Sequence, residues 1–180
     1  MATETFEELY ANVPAEQRTL LQQFRADHPY KELTIDGTRW RYIFCGQGDR
    51  ALLFLPGGFA TADIWFNTIL ALEKDYRIIA PDAYALQGIF VMDEVCSALV
   101  RILDAEAVEK ATVIGASAGG GGAQWLIQGY PQRGENLVLS HCGIIGPEKA
   151  RRRPLIFRLI RLLPFSITRQ MVISASSGNY

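Results

Sequence analysis

Histidine and cysteine are scarce in this sequence of 180 residues, which holds two of the first and three of the second. The spacing of Cys45, Cys96 and Cys142 fits neither a disulfide framework nor a zinc site. We therefore predict reduced thiols, a cytoplasmic protein and no bound metal. No apolar run approaches the roughly 20 residues that cross a bilayer, and the acidic N-terminus is not typical of a secretory signal. The formal net charge of −1 argues against nucleic-acid binding.

The near-zero net charge conceals an asymmetry. Residues 147–180 hold seven basic residues and one acidic residue, a balance of +6, so residues 1–146 carry −7. Pro154 and Pro164 frame a short apolar and basic segment that is typical of a helix. This segment could be a lid, a partner surface, a membrane-surface helix or a buried helix. The predicted parts of the chain are an N-terminal helical extension (1–30), a core (31–146) and a basic helical cap or lid (147–180).

Short apolar strands alternate with helical segments through the core. A hairpin is predicted over 31–45, with Asp36 and Gly37 at its turn. Strands that are apolar on both sides belong inside a parallel sheet, and their alternation with helices predicts a three-layer α/β domain with a mostly parallel sheet. The predicted buried strands are 51–55, 77–80, 112–114 and 137–139, and the predicted helices are 62–74, 91–103 and 120–130.

The most specific motif is a Gly-x-Ser-x-Gly sequence from Gly115 to Gly119, between a predicted strand and a predicted helix. This context favours a nucleophile elbow, a forced turn that exposes the serine hydroxyl, over a tight turn that merely packs. Ser117 is then the candidate nucleophile, and the N–H of Ala118 is the first candidate oxyanion donor. The Leu-Pro-Gly-Gly-Phe loop after an earlier strand offers a second donor, the N–H of Gly58 or, as the reserve, of Phe59.

Four consecutive glycines, Gly119 to Gly122, begin the predicted helix after the motif. Each glycine costs about 1 kcal/mol of helix propensity relative to alanine, so the run needs a reason. Close packing against the sheet is one reason, and an anion-binding cradle is the alternative. Because the run has neither a Gly-Lys-Ser/Thr pair nor an acidic ribose partner, we predict no nucleotide and no other cofactor.

A general base for Ser117 is harder to identify. His28 precedes the predicted sheet and is expected at the surface. His141 follows a predicted parallel strand and could line the site at the edge where Ser117 emerges, although a histidine at a strand end is more often structural. Asp82 also follows a strand, where its expected role is to fix a loop through backbone hydrogen bonds.

These features resemble the α/β-hydrolase family over residues 31–146. The matching residues are the Leu-Pro-Gly-Gly loop, Trp65, the Tyr-Arg-Ile-Ile-Ala-Pro-Asp sequence ending at Asp82, and the elbow. Within the family, the loop and elbow are similar to those of maspardin and related bacterial hydrolases. One departure is the Pro56-Gly57 pair, which stands where the family usually has His-Gly.

The resemblance implies an eight-stranded sheet in which the acid and histidine of the catalytic triad follow the serine, after a cap. We expect the first six strands and the start of the helical cap here, because no residue of this sequence matches the family's acid or histidine. The chain is therefore expected to be a truncated form, a fragment completed by a separate chain, or a pseudo-enzyme.

Two functions follow from these observations. The first is a serine hydrolase, an esterase, in which Ser117 attacks small-molecule carboxylic esters. The second is a non-catalytic binding or adaptor protein with the same fold, which uses residues 149–169 as a partner surface. The C-terminal segment could then contact a second chain or another copy of this one.

Overall fold

Six strands form one mixed sheet in the computed structural model, which describes residues 5–84, 88–89 and 91–145. They are β1 (Lys31–Ile35), β2 (Thr38–Cys45), β3 (Arg50–Leu55), β4 (Tyr76–Pro81), β5 (Ala111–Ala116) and β6 (Gly134–Ser140). Their order across the sheet is β1-β2-β4-β3-β5-β6. The pairs β1–β2 and β2–β4 are antiparallel, whereas β3–β4, β3–β5 and β5–β6 are parallel.

The predicted hairpin is present as β1 and β2. Asp36 and Gly37 both have positive φ, at 49° and 80°, which is the conformation that a two-residue turn of type I′ requires. Ile35 and Trp40 beside the turn are buried, so one face of the hairpin faces the core.

The helices lie on both faces of the sheet and are α1 (Phe6–Leu9), α2 (Ala15–Asp27), α3 (Phe66–Leu72), α4 (Met92–Ala105) and α5 (Ala118–Gly129). Short 3-10 turns cover Ala62–Trp65 and Pro131–Arg133, so the helix predicted over 62–74 is divided into a 3-10 turn and α3.

The core is divided between the two faces of the sheet. Successive residues of a strand point to opposite faces, and both Leu53 and Phe54 of β3 are buried. Phe54 belongs to a cluster with α2 and α3, and Leu53 belongs to a cluster with α4 and α5. The predicted three-layer α/β architecture is therefore confirmed.

The prediction that the strand at 137–139 is buried on both sides is wrong. Leu137 is 38% exposed and Val138 is 48% exposed. Among the described strands, β6 is the outermost on its side of the sheet, with β5 as its neighbour. A run of apolar residues indicates a strand, but the position of that strand in the sheet depends on pairing between distant segments, which the local pattern does not contain.

The basic cap predicted over 147–180 lies outside the described residues, and the division of the chain into three parts stays a prediction. Within the ranges that the structure describes, no helix has both the length and the apolar character needed to span a membrane.

The glycine run has a packing explanation at its start. A Cβ atom on Gly119 would overlap the backbone carbonyl groups of Leu55 and Pro56, and one on Gly120 would overlap the side chain of Cys142. On Gly121 the nearest atom would be a methyl carbon of Ile145 at 3.8 Å, which is ordinary contact. Close approach of α5 to the ends of β3 and β6 therefore accounts for the first two glycines and not for Gly121.

We predict opposite effects for two alanine substitutions in α5. Gly119→Ala should lower the free energy of unfolding by at least about 3 kcal/mol, because neither colliding carbonyl group can move without shifting β3. Gly121→Ala should leave it unchanged or raise it by up to about 1 kcal/mol, since alanine favours helix and space is available. Urea unfolding followed by circular dichroism measures both, and equal effects would contradict the packing explanation.

Candidate active site

Ser117 lies in a turn whose backbone conformation is rare for any residue but glycine. It connects β5 to α5 with φ 51° and ψ −119°, and its side chain is exposed. Such a strained conformation costs about 1–3 kcal/mol and persists only where the surrounding structure enforces it. Here the Ser117 N–H donates to the Ser140 carbonyl at 3.0 Å, and the Ser117 carbonyl accepts from the Gly120 N–H at 3.0 Å.

The residue on the strand side of this turn leaves no room for a side chain. A Cβ atom on Gly115 would lie 2.6 Å from the Gly119 carbonyl oxygen and 2.7 Å from the Gly120 Cα. The turn therefore brings the first residues of α5 back against the end of β5. This geometry agrees with the nucleophile elbow predicted from the sequence motif.

The glycine loop after β3 lies directly beside Ser117. A Cβ atom on Gly57 would be 2.9 Å from the Ser117 Cβ and 3.5 Å from its Oγ. The next residue, Gly58, has φ 55°, and the Ala60 N–H donates to the Gly57 carbonyl at 3.1 Å. The structure thus brings Gly57, Gly58 and the half-buried Phe59 to the edge of the sheet where Ser117 emerges.

Ala118 is the other residue predicted to donate to an oxyanion. It is the first residue of α5 and is exposed. The first N–H groups of a helix have no partner inside that helix, and the helix dipole places partial positive charge there. The N–H of Ala118 therefore lies at the positive end of the helix dipole, next to Ser117.

A buried carboxylate binds the backbone of the segment that follows the glycine loop. Asp82 is 3% exposed, and its Oδ1 accepts the N–H of Ala62 at 2.8 Å. The following residue, Ala83, donates its N–H to the Ala60 carbonyl at 2.9 Å. Burial raises the pKa of Asp82, while the Ala62 N–H and the Arg41 guanidinium 3.9 Å away act in the opposite direction. The contact agrees with the loop-fixing role expected for this residue.

The N-terminal helices contact the same loop region through an ion pair. Arg25 of α2 lies 2.6 Å from the carboxylate of Asp63, which is 8% exposed. The guanidinium of Arg25 also lies 5.5 Å from the ring centroid of Phe6 in α1. The cation therefore links both helices to the 3-10 turn that follows the glycine loop.

The two histidines are at different ends of the sheet, and among the described residues neither forms a hydrogen bond with Ser117. His141 is exposed with φ 52°, and its Nδ1 is 2.7 Å from the Oγ of Ser140. Because Ser140 accepts the Ser117 N–H, His141 lies at the predicted edge, but no hydrogen bond of the described residues joins it to Ser117. The expectation that His28 is a surface residue is wrong, since its side chain is 9% exposed and pairs with Glu73.

Two further residues, which the sequence motifs do not indicate, shape this edge. Gln124 of α5 is buried, donates to the Gly120 and Gly143 carbonyls at 3.1 and 3.0 Å, and accepts the Ile145 N–H at 2.6 Å. The Tyr84 hydroxyl donates to the Ala118 carbonyl at 3.2 Å. Gln124 could have been noticed as a polar residue two positions after the glycine run. Nothing local in the sequence indicated Tyr84.

Two curated proteins share sequence with this chain. A 2-hydroxy-6-oxo-6-phenylhexa-2,4-dienoate hydrolase of Burkholderia cepacia is 30% identical over 143 residues, which cover 71% of this chain and 50% of that protein. The dihydrolipoyllysine-residue acetyltransferase component of an acetoin cleaving system from Cupriavidus necator is 31% identical over 117 residues, or 61% of this chain and 31% of its own. The chain thus spans half or less of the length of these relatives.

A solved structure, that of a hydrolase from Pseudomonas aeruginosa, superposes with a TM-score of 0.59 and 21% identity, covering 74% of this chain and 66% of that one. This likeness supports the fold. The sequence model of the alpha/beta hydrolase fold matches residues 50–147, a span that includes the glycine loop, the elbow and β6. With the six-stranded sheet and the strained serine between β5 and α5, this match shows that the chain belongs to the α/β-hydrolase fold family.

Proposed function

We propose that this protein is a serine hydrolase that cleaves carboxylic esters of small molecules, with Ser117 as the nucleophile. The observation that carries the proposal is the exposed serine with φ 51° whose Oγ lies against the glycine loop. A serine hydroxyl held in this way can attack an ester carbonyl and form an acyl-serine, releasing the alcohol. Water then cleaves the acyl-serine, which yields the acid and restores Ser117.

Backbone N–H groups stabilise the negative charge that develops in this reaction. We assign the two donors to Ala118, at the start of α5, and to Gly58, with Phe59 as the reserve. Because these groups are fixed before the substrate binds, they need no reorganisation when the oxyanion forms. The hydrogen bond between Asp82 and Ala62 supports the proposal, since it attaches the 3-10 turn that follows the glycine loop to the residue after β4.

Proton transfer needs a base that the described contacts of Ser117 do not supply. His141 is the nearer of the two histidines along the sheet edge, and we keep it as a residue that lines the site. We therefore assign neither the general base nor the acid that orients it to a residue that the structure describes. The curated relatives from Burkholderia and Cupriavidus are named as a hydrolase and an acetyltransferase component, and both names are compatible with chemistry at a carbonyl group.

We predict that a fluorophosphonate probe modifies Ser117 when imidazole is added as an external base, because the exposed hydroxyl then has a proton acceptor and the proposed backbone donors lie beside it. Ser117→Ala should abolish the modification. Ser140→Ala is the matched control, since it removes a neighbouring hydroxyl but keeps the carbonyl that accepts the Ser117 N–H. Mass spectrometry of the digested protein identifies the modified residue. A folded chain in which Ser117 stays unmodified, or in which Ser117→Ala is modified equally, would contradict the proposal.

The glycine loop provides a second prediction with a matched pair of substitutions. Gly57→Ala should slow the reaction with the probe about 100-fold or more, because its Cβ would push the loop from Ser117 and remove one oxyanion donor. In Gly58→Ala the added Cβ meets no atom within 4 Å, so this variant carries only the strain of its positive φ. We expect it to lose about 10-fold at most. Pseudo-first-order rate constants measure both, and equal losses would argue against a donor in this loop.

The absence of a hydrogen bond between Ser117 and either histidine among the described residues favours a second candidate function. In it the fold serves as a non-catalytic binding protein, and residues 149–169, which lie outside the described residues, bind another chain. Reversing the charges of Arg151, Arg152 and Arg153 to glutamate should weaken self-association about 10-fold or more in sedimentation velocity, while Ser117→Ala leaves it unchanged. Self-association that is equal in both variants, or absent in the parent chain, would exclude a second copy as the partner.

A further inference from the structure

A second group of reactive side chains lies at the opposite end of the sheet from Ser117. His28 follows the last residue of α2, Cys45 ends β2, and Glu73 follows the last residue of α3. Cys45 pairs with Ile78 near the beginning of β4, whereas Ser117 follows the end of the parallel strand β5. Within the described part of the chain, the imidazole, thiol and carboxylate ligand atoms of this trio all lie within 4.8 Å of one another.

The imidazole of His28 is oriented as it is in many metal sites. Its Nδ1 lies 3.0 Å from the Phe24 carbonyl oxygen, and its ring stacks on Phe24 with the centroids 4.2 Å apart. An Nδ1–H that donates to a backbone carbonyl leaves Nε2 as the ring nitrogen that can bind a cation, and it fixes the direction of that nitrogen. Nε2 becomes a ligand once it has released the proton that it shares with Glu73. The Nε2 atom points at the Glu73 carboxylate, 2.6 Å from its Oε2.

The backbone holds the other two ligands together. The N–H of Gln47 donates to the Glu73 carbonyl at 2.9 Å, so the chain that follows β2 is attached to the end of α3. Cys45 and Glu73 are both partly buried, and the Glu73 side chain keeps 25% of its surface exposed. A cation can therefore reach the trio from solvent through the partly exposed Glu73 side chain.

We propose that His28, Cys45 and Glu73 bind a divalent cation of the zinc class, with water as the fourth ligand. One nitrogen, one sulfur and one oxygen suit Zn²⁺, whereas Mg²⁺ and Ca²⁺ prefer ligand sets made of oxygen alone. Tetrahedral zinc with bonds of about 2.0 to 2.3 Å spaces its ligand atoms roughly 3.3 to 3.8 Å apart. The His28 Nε2 and Glu73 Oε2 atoms, now 2.6 Å apart, need to separate by roughly 0.7 Å. A rotation of the partly exposed Glu73 carboxylate provides this separation.

Binding at this site releases two protons, one from the short hydrogen bond between His28 Nε2 and Glu73 Oε2 and one from the Cys45 thiol. Burial, together with the nearby Glu73, raises the pKa of Cys45 to about 12, so the free thiol is protonated at neutral pH. The sulfur forms its bond to the cation as it loses this proton to solvent. The site joins α2, β2 and α3, and it therefore attaches the N-terminal helices to the sheet without contributing to the chemistry at Ser117. The proposal departs from the sequence expectation of no bound metal, because the three ligands are too far apart in sequence to form a recognisable spacing.

Cobalt titration of the purified, untagged chain tests the proposal, because Co²⁺ replaces Zn²⁺ and shows a thiolate charge-transfer band when sulfur binds it. We expect saturation at one Co²⁺ per chain and loss of the band when Zn²⁺ is added. Cys45→Ser should remove the band, and His28→Gln and Glu73→Gln should each weaken binding at least about 10-fold. In the double variant His141→Ala/Cys142→Ser, a histidine and a thiol that are adjacent in sequence are removed at the other end of the sheet. This variant should bind Co²⁺ as the parent does. Mg²⁺ should give no response.

Thermal unfolding provides a readout that does not depend on colour. Zn²⁺ should raise the melting temperature of the parent and of the double variant by several degrees, and it should leave that of Cys45→Ser unchanged. If Cys45→Ser fails to fold, Glu73→Gln replaces it, and the expected result is then Co²⁺ and Zn²⁺ binding at least about 10-fold weaker than in the parent, with the band retained at saturation. A parent without the band, or a band that survives in Cys45→Ser or disappears in the double variant, would overturn the site and leave an ordinary ion pair between His28 and Glu73.

Discussion

The close approach of α5 to the end of β3 is the constraint on which the rest of this site depends. Gly119 lies so near the carbonyl groups of Leu55 and Pro56 that no side chain fits between them. This contact brings the beginning of α5, where partial positive charge accumulates, to the same place as the glycine loop. Ser117 must then take a positive φ to connect β5 with a helix that begins so close to the sheet. The strain of Ser117, its exposure and the placement of the proposed oxyanion donors thus have one structural cause.

Both ends of the sheet are tied to the N-terminal helices. At the edge where Ser117 emerges, Arg25 forms an ion pair with Asp63, which follows the glycine loop. At the other edge, His28 binds Glu73 next to Cys45. Arg25 lies in the last turn of α2, and His28 directly follows that helix. Residues three apart lie near each other on a helix surface. The loop beside Ser117 and the proposed metal site are therefore attached to the same element, which gives the N-terminal helices a structural part in the site.

Much of the fold could be predicted because its signals are local. Apolar runs bounded by turn residues located β3, β4 and β5 within a residue or two, and the Asp36-Gly37 pair located the hairpin. The Gly-x-Ser-x-Gly motif located the elbow, because a strained turn of this kind needs small residues around it. The remainder depends on contacts between distant segments. No local pattern contains the packing that leaves β6 exposed and buries the His28 side chain. The same is true of the hydrogen bonds that join Gln124 to Gly143 and Ile145.

The most direct test of the central claim is a crystal structure of the protein after reaction with a phosphonate. The account predicts a phosphonyl group on the Oγ of Ser117, with Ser117 still at positive φ. It also predicts a phosphonyl oxygen within about 2.7–3.1 Å of the backbone nitrogens of Ala118 and Gly58. A phosphonyl oxygen that points to solvent and contacts neither nitrogen, or an adduct on another residue, would contradict the proposal that this edge of the sheet is an oxyanion site.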